Sequence, residues 1–295
     1  MNRKLITSDW HIRSTVPVCV DATPSEWMDI QREALQRLGD IAIENKVKDI
    51  YIGGDLFHKE NTTTFECIYL IQEFIQRMES VGIKVWIMAG NHDLPYHSST
   101  NIPKAAIGVL LNSQYVHNMA DSKSEIRGCN FDNDDYGDAT CIFKHVLTIP
   151  KEEIPYGVEC ETPESLLEKY PNTVRICTGD YHKNFYFEKD GRIVVNSGCL
   201  TKQASDFENY VTGIYIIDLD GTSEDDFWVP INIEQKFNHN GYEKKALDES
   251  IENFVEGIKA EDVTLDYVSS LKKEATNHDK SIQDKIESWI TEAGQ

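Results

Sequence analysis

Four apolar runs along this chain are each followed at once by a motif rich in metal-binding side chains. Each run has the length and composition of a buried β-strand. In open α/β folds the carboxyl ends of the strands meet at one edge of the sheet, and sites form there. We therefore expect the four motifs to converge in the folded chain. They are Asp9-Trp10-His11, Gly54-Asp55-Leu56-Phe57-His58, Gly90-Asn91-His92-Asp93 and Gly179-Asp180-Tyr181-His182.

The side chains of these motifs suit divalent metal ions. Asp9 and His11 lie two residues apart, so at a strand end both should leave on the same face. The carboxylate of Asp55 has two oxygens and is able to bridge two ions, and His145 adds an imidazole from another apolar run. Alone, each motif would more simply be a turn, a solvated strand end or a buried histidine. Their occurrence together predicts a two-metal site of the kind that hydrolyses phosphate esters.

Strands and helices alternate through the first 90 residues. Strands are predicted at 4–8, 49–53 and 84–88, with a helix from Thr23 toward Asn45 and a second one opening at the threonines 62–64. This β-α-β-α-β order predicts a parallel sheet. Shorter strands follow up to residue 218, and Lys189-Asp190-Gly191 marks a hairpin turn. The predicted class is therefore α/β.

The net charge, the apolar segments and the cysteines of the chain argue against several classes of protein. Its net charge of −21 over 295 residues argues against a protein that coats nucleic acid by bulk charge, although a local basic groove or a basic partner would still allow a nucleic-acid enzyme. No apolar segment is long enough for a membrane span, so we expect a cytoplasmic protein without membrane contact. Seven scattered cysteines predict buried thiols, not disulfides or a zinc site.

The sequence changes character after about residue 220. Residues 227–231 are typical of an edge strand, and three amphipathic helical stretches follow Gly241. We expect a main domain over 1–220 and a second region over 221–295 that combines a reduced capping part with C-terminal helices. The apolar stripes of these helices would either pack on the main domain or dock a partner. The stripes are Ile251/Phe254/Val255/Ile258, Val268/Leu271 and Ile282/Ile286/Trp289/Ile290.

The ordered motifs resemble those of the calcineurin-like metallophosphoesterases. The segments at 54–58 and 90–93 resemble more narrowly the SbcD family of bacterial and phage DNA repair and recombination nucleases. The resemblance implies a four-layer α/β/β/α sandwich and exo- or endonuclease activity on DNA. It also implies a partner, an SMC-like ABC ATPase subunit of the SbcC type, with a homodimer as an open alternative. One metal would be held by Asp9, His11, Asp55 and His182, and the other by Asp55, Asn91, His145 and Asp180.

The resemblance also assigns roles near the metals. His92 would stabilise charge at the scissile phosphate or protonate the leaving oxygen, and His58 would orient that phosphate. Asp180 departs from the family, which usually has histidine there, so its oxygen-rich site favours Mn²⁺, with Mg²⁺ as a weaker substitute. The competing functions are a phosphodiesterase or phosphatase for a small substrate and a catalytically weakened scaffold subunit. Candidate phosphate contacts are Arg13, Lys59, Lys183 and Lys202.

Overall fold

The computed structural model describes residues 2–59, 63–122, 124–219 and 225–238. The first half of the chain alternates strands and helices as predicted. Its elements are β1 (Arg3–Thr7), α1 (Pro24–Glu44), β2 (Asp49–Ile52), α2 (Phe65–Ser80), β3 (Lys84–Ile87), α3 (Ala106–Leu111) and β4 (Val116–Asn118). The later elements are β5 (Ile126–Cys129), β6 (Cys141–His145), α4 (Pro163–Lys169), β7 (Arg175–Gly179), β8 (Phe185–Lys189), β9 (Arg192–Asn196), β10 (Gly213–Asp218) and β11 (Phe227–Pro230).

Local signals in the sequence explain where the long helices begin. Thr23 caps α1 by accepting a hydrogen bond from the Glu26 backbone, while the Glu26 carboxylate accepts one from the Thr23 N–H. This reciprocal pair satisfies two donors that the first helical turn leaves free. Thr64 caps α2 in a similar way, by accepting from the Cys67 N–H. Both predicted helix starts are confirmed.

The fold is built on two β-sheets. The first has the order β11-β10-β1-β2-β3-β4, with β1 to β4 parallel and the last two strands of the chain added antiparallel. The second has the order β5-β6-β7-β9-β8, parallel except for β8. The strands β8 and β9 form the predicted hairpin, in which Asp190 and Gly191 occupy the turn with φ of 53° and 71°.

Alternating side chains place the two sheets face to face between helices. On β1, Leu5 belongs to a core shared with α1 and α2, whereas Ile6 belongs to a core shared with Phe143 of the second sheet. On β6, the neighbouring Ile142 points the other way and shares a third core with Leu166 of α4. Three cores separate four layers, which confirms the predicted α/β/β/α sandwich.

The structure also bears on the expected state of the cysteines, on membrane-spanning helices and on the division of the chain. All seven cysteines are free, and six of them are buried. None of the helices in the described ranges has both the length and the apolar character that crossing a bilayer requires. The chain divides into compact units at 1–237 and 238–295, and β11 lies in the first unit. The predicted division of the chain at residue 220 stays a prediction. The predicted C-terminal helices lie outside the described residues.

Candidate metal centre

The predicted metal ligands follow the carboxyl ends of strands in both sheets. In the first sheet they lie in the loops after β1, β2 and β3, and in the second sheet they lie at the last residue of β6 and in the loop after β7. His145 joins the two sheets directly, because its Nδ1–H donates to the Gly53 carbonyl at 2.8 Å. The ligand loops of the two sheets therefore meet at one edge of the sandwich.

The loops reach this edge through strained backbone. Asp9, His11, Asp55 and Asp180 all adopt left-handed conformations, with φ of 53°, 45°, 51° and 76°. Such conformations are uncommon for residues other than glycine, and they persist where the surroundings enforce them. Asp9 and His11 thus lie beyond the end of β1, so the expectation that an extended strand aims their side chains was wrong. The turned backbone aims them instead.

Backbone hydrogen bonds hold the loops after β1 and β2 side by side. The Asp9 N–H donates to the Gly54 carbonyl at 3.1 Å, and the His11 N–H donates to the Asp55 carbonyl at 3.0 Å. These two bonds continue the parallel pairing of β1 and β2 past the ends of both strands. The first two ligand motifs are therefore fixed relative to each other before any side chain contact is considered.

Asp9, His11 and His182 bring three ligand atoms to within 4.8 Å of one another. The Nε2 atoms of His11 and His182 are 3.0 Å apart, and His182 Nε2 is 3.9 Å from Asp9 Oδ1. Imidazole nitrogens bind a divalent ion at about 2.0–2.1 Å, so two nitrogens this close together are within reach of one ion. The spacing of these imidazoles therefore fits a shared cation.

A second group joins Asp9, Asp55 and His145 within the same limit. Asp55 Oδ2 lies 3.2 Å from His145 Nε2 and 3.6 Å from His11 Nε2, so it faces both groups. This is the position that the sequence predicts for a bridging carboxylate. Asp9 belongs to both groups as well, which the sequence did not indicate.

Several buried polar atoms in this centre have no hydrogen-bond partner among the described residues. They are the Asp55 Oδ2, the Asn91 Oδ1 and the His145 Nε2 atoms, together with His11 Nδ1. An unpartnered buried polar atom costs free energy, so native structures rarely retain one without a reason. The Asp55 Oδ2 and His145 Nε2 atoms are 3.2 Å apart, and Asn91 Oδ1 adds a hard oxygen donor from the loop after β3. This donor set fits divalent cations.

The charges in the centre are balanced only where carboxylates meet imidazoles. Burial acts to lower the pKa of His145, but the attraction of Asp55 and Asp9 outweighs it and raises this pKa to about 10. Burial opposes ionisation of Asp55, yet the attraction of His145 and His11 holds the pKa of its carboxyl below the usual value. Burial raises the pKa of Asp9, so positive charge beside it, which divalent ions would supply, would favour its ionised form.

Asp180 contributes to the centre chiefly through its backbone. Its N–H donates to Asp9 Oδ1 at 2.9 Å, and its half-buried carboxylate is among the charges that raise the pKa of His145. The Asp180 carboxylate is not part of the ligand groups found among the described residues. Its role as a ligand of the second metal stays a prediction.

His92 and His58 lie beside these two groups, and together with His11 they form a third set whose ligand atoms lie within 4.8 Å of one another. Their predicted catalytic roles stay predictions. The ring centroids of His11 and His92 are 5.0 Å apart. The Nδ1–H of His92 donates to the His58 carbonyl at 2.6 Å, while the His92 backbone N–H donates to Asp55 Oδ1 at 2.9 Å. These two bonds fix the ring so that its Nε2 atom remains available to a substrate.

Arg13 holds His58 in one protonation state. The guanidinium Nη1 donates to His58 Nε2 at 2.9 Å, and the Arg13 backbone is anchored by Gln31 and Trp27. Burial, followed by the charge of Arg13, lowers the pKa of His58 to about 3. His58 is therefore neutral near pH 7, and its Nε2 atom holds the positively charged Arg13 guanidinium at the rim of the centre.

The other predicted phosphate contacts are less well placed. Lys183 is 3.9 Å from the Asp206 carboxylate and lies over the ring of Phe207, and the Lys202 ammonium donates to the Glu208 carbonyl at 2.7 Å. The ammonium groups of these two lysines are therefore already engaged with other residues of the protein. Lys59 is half-buried, and its charge reaches His58. Of the four candidates, Arg13 has the contact that ties it most directly to a site residue.

Sequence reasoning missed the structural role of Asp93. Its carboxylate accepts hydrogen bonds from the backbone N–H groups of Leu56, Phe57 and Gly90, at 2.9 to 3.1 Å. It thereby ties the loop after β2 to the loop after β3. Burial, followed by the charge of Asp55, raises its pKa to about 7. The only signal was its place at the end of the Gly90–Asp93 motif.

The loop that carries His182 is supported from β9. The Asn196 amide donates to the Tyr181 carbonyl at 2.7 Å, and the Cys199 N–H donates to the His182 carbonyl at 3.0 Å. Gly198 adopts φ of 75°, and a Cβ there would come within 2.8 Å of the His182 carbonyl oxygen. The segment 196–199 thus positions a predicted metal ligand.

Comparison with known protein families agrees with this geometry. The sequence pattern of the calcineurin-like phosphoesterases, Metallophos, matches residues 3–258. The chain belongs to this family. Its members are metal-dependent phosphoesterases, so the chain is assigned to that class of enzyme, while the identity of the metal and the substrate are separate questions. No curated protein sequence matches the chain significantly.

Solved structures that resemble this calcineurin-like phosphoesterase share little sequence with it. An archaeal phosphodiesterase is 13% identical with a TM-score of 0.38, covering 77% of this chain and 99% of its own. A Vps29 variant from Entamoeba histolytica is 13% identical with a TM-score of 0.36, covering 80% and 99%. The nuclease MPE from Pseudomonas putida is 14% identical with a TM-score of 0.36, covering 77% and 86%. The substrate is not assigned from these similarities.

Proposed function

We propose that this phosphoesterase is a two-metal nuclease that hydrolyses phosphodiester bonds in DNA. The observation that carries the proposal is the Asp55 Oδ2 atom, which is buried and lies 3.2 and 3.6 Å from the Nε2 atoms of His145 and His11. A carboxylate oxygen between two sets of ligands is suited to bridge two cations. Two divalent ions in such a site activate the attacking water and clamp both oxygens of an in-line displacement.

We assign the ligands as the sequence predicts them. Asp9, His11, Asp55 and His182 would hold one ion. Asp55, Asn91, His145 and Asp180 would hold the other. Because three of the four residues in the second set offer oxygen, we propose Mn²⁺ as the working ion, with Mg²⁺ as a weaker substitute.

His92 is the proposed proton donor. Its Nδ1 atom is occupied by the His58 carbonyl, which leaves Nε2 to hold a proton that can pass to the leaving oxygen. Histidine is the side chain that enzymes use most often as a general acid, so it suits this task. The His92 backbone N–H bonds to Asp55, and we propose that its side chain faces the substrate and is not a metal ligand. Loss of its side chain should therefore affect the rate more than metal occupancy.

Arg13 and His58 are proposed to bind the scissile phosphate from the side opposite the metals. The Arg13 guanidinium carries a permanent charge and several N–H donors in a plane that matches two phosphate oxygens. His58, held neutral, keeps that guanidinium in place through its Nε2 atom. The proposal gives Lys59, Lys183 and Lys202 weaker, longer-range roles.

DNA is the substrate that the sequence motifs favour, and the acidity of the chain bears on how it would be bound. A net charge of −21 repels a polyanion. We propose that a partner, an SMC-like ABC ATPase of the SbcC type, supplies DNA affinity, and that the segment beyond residue 245 docks it. A homodimer would offer a second copy of the site instead. We propose that this nuclease acts in DNA recombination or repair, in the cytoplasm.

The test compares three substrates under one set of conditions. Purified chain is incubated with Mn²⁺ and single-stranded DNA, double-stranded DNA or a small phosphodiester, with a His92→Asn variant as the matched control. We expect cleavage of DNA and of the small diester, both lost in the variant. Hydrolysis of the small diester alone, with DNA at concentrations high enough to compensate for the missing partner, would replace the proposal with a small-substrate phosphodiesterase. Mn²⁺ binding without turnover on any substrate would favour the scaffold alternative.

A further inference from the structure

Three aromatic side chains lie at the rim of the metal centre and take no part in holding it. The Phe131 ring centroid is 6.4 Å from that of the predicted ligand His145 and 5.9 Å from that of His97. Phe131 is 37% exposed, and Tyr96, four residues after His92, is 85% exposed. Large apolar rings next to a site but open to solvent are candidates for contact with a substrate.

The Phe131 ring is held in place by the same loop that carries Asn91 and His92. The Phe131 N–H donates to the Ala89 carbonyl at 3.0 Å, and the Ala89 N–H donates to the side-chain oxygen of Asn130 at 3.1 Å. This pair of bonds flanks the start of the Gly90–Asp93 motif. The position of the ring relative to the predicted phosphate site is therefore fixed by backbone contacts.

The loop that presents Tyr96 and His97 is strained and also tied to Phe131. Both residues adopt left-handed backbone, with φ of 56° and 52°. Apart from glycine this region favours asparagine, aspartate and histidine, so it is unusual for the bulky side chain of Tyr96. Ser99 closes the loop, because its N–H and its hydroxyl both donate to Asp132 Oδ2, at 2.8 and 3.0 Å. Strain that leaves an aromatic ring in solvent gains no packing energy, so it points to a function.

The charge of the rim restricts what can bind there. The segment 130–139 contains four aspartates and no lysine or arginine. Asp132 is engaged by Ser99, and Asp134 pairs with Lys144 and Lys169. A second phosphate would be repelled by the remaining carboxylates on this side of the centre. A neutral planar group would not be repelled, and it would find aromatic faces on which to stack.

We propose that Phe131, with the His97 ring beside it, forms a stacking subsite for one nucleobase. The base would belong to the nucleotide whose phosphate lies in the metal centre, since the ring is within one nucleoside's reach of His145. The proposal rests on the proposed function in that it takes the substrate to be a nucleotide ester. It adds that the enzyme recognises the base by its aromatic face, without hydrogen-bond readout.

A binding measurement separates this subsite from catalysis. Titration calorimetry in Mn²⁺ compares thymidine 5′-monophosphate with deoxyribose 5-phosphate, which lacks only the base. Base–aromatic stacking predicts roughly 5- to 150-fold tighter binding of the nucleotide. We expect Phe131→Ala to abolish this difference and Phe131→Trp to retain it. Tyr115→Ala is the matched control, since Tyr115 is 38% exposed and lies at the amino end of β4, whereas the metal centre lies at the carboxyl ends of the strands.

The same variants are then assayed on oligothymidylate and on an abasic oligomer of equal length. We expect Phe131→Ala to lower kcat/KM for oligothymidylate by the same factor and to leave the abasic substrate unaffected. Equal losses on both substrates would show that Phe131 only supports His145, and equal binding of the two phosphates by the wild type would also overturn the subsite. A base-dependent difference in binding without any hydrolysis would instead refute the nuclease proposal and keep the subsite.

Discussion

Adding one methyl group at Gly90 should displace the central carboxylate of the metal site. A Cβ built at Gly90 would lie 2.2 Å from Asp55 Oδ1 and 2.5 Å from the Asp55 backbone nitrogen. Ordinary contacts begin at 3.4 Å, so the carboxylate or the loop would have to move by about 1.2 Å, the difference between 3.4 and 2.2 Å. Gly90 lacks a side chain because Asp55 occupies that space.

The displacement has a calculable consequence for activity. Asp55 Oδ1 accepts from the His92 N–H, and Oδ2 faces His145 and His11, so movement disturbs the proton donor and both metal groups together. A misplacement of about 1 Å near reacting groups can cost on the order of 100-fold in rate. Overpacking a buried site typically costs about 1–3 kcal/mol in stability. We therefore expect Gly90→Ala to stay folded while losing at least about 100-fold in kcat/KM.

The assay follows hydrolysis of a small phosphodiester in Mn²⁺, with urea unfolding in EDTA to measure stability without metal. Gly53→Ala is the matched control. Its added Cβ would first meet Ser8 Cβ at 3.3 Å, a contact that small shifts relieve, so its activity should stay near the wild-type value. Wild-type turnover and Mn²⁺ affinity in Gly90→Ala would refute the position assigned to Asp55.

Four further changes test separate parts of the site and fold. Asp55→Asn should abolish Mn²⁺ binding and hydrolysis, because the amide oxygen is held by the His92 N–H and the amino group would face the cations; calorimetry showing two ions would contradict this. His92→Asn should keep both ions and lose about 10²- to 10⁴-fold in kcat, and lost metal would make His92 a ligand instead. Arg175→Met should lower the free energy of unfolding by about 3–5 kcal/mol, measured by urea, because it strands the buried carboxylate of Asp226; an unchanged midpoint would refute the pairing. Asp180→His should raise the affinity for Zn²⁺ relative to Mn²⁺, and an unchanged ratio would remove Asp180 from the shell.

The sequence was sufficient for the architecture because local and long-range signals agreed. Thr23 and Thr64 mark the starts of α1 and α2, and the alternation of Leu5 and Ile6 matches a strand buried on both faces. Ligand motifs at strand ends fixed the edge where the site forms, because parallel strands present their carboxyl ends together. The convergence of the predicted ligands is the result of that topology.

The backbone conformation and side-chain directions at the site could not be predicted from the sequence in the same way. Whether Asp9 and His11 lie on extended or left-handed backbone depends on hydrogen bonds from a second loop, which a local pattern does not contain. The bridging of two loops by Asp93 is likewise a contact between distant segments. The side chain of Asp180 is a further case, since its distance from His145 depends on the packing of the loop after β7. Spacing identifies candidate ligands, and tertiary contacts decide how they are aimed.

The division of the ligands between the sheets explains why the centre needs so rigid a frame. The first sheet supplies Asp9, His11 and Asp55, while the second supplies His145 and His182. A slide of one sheet over the other by a single side chain would separate the two halves. The core between the sheets and the bond from His145 to Gly53 oppose such a slide without any metal. The ions would therefore enter a site whose register the fold already sets, and the strained loops can then aim each ligand with little reorganisation on binding.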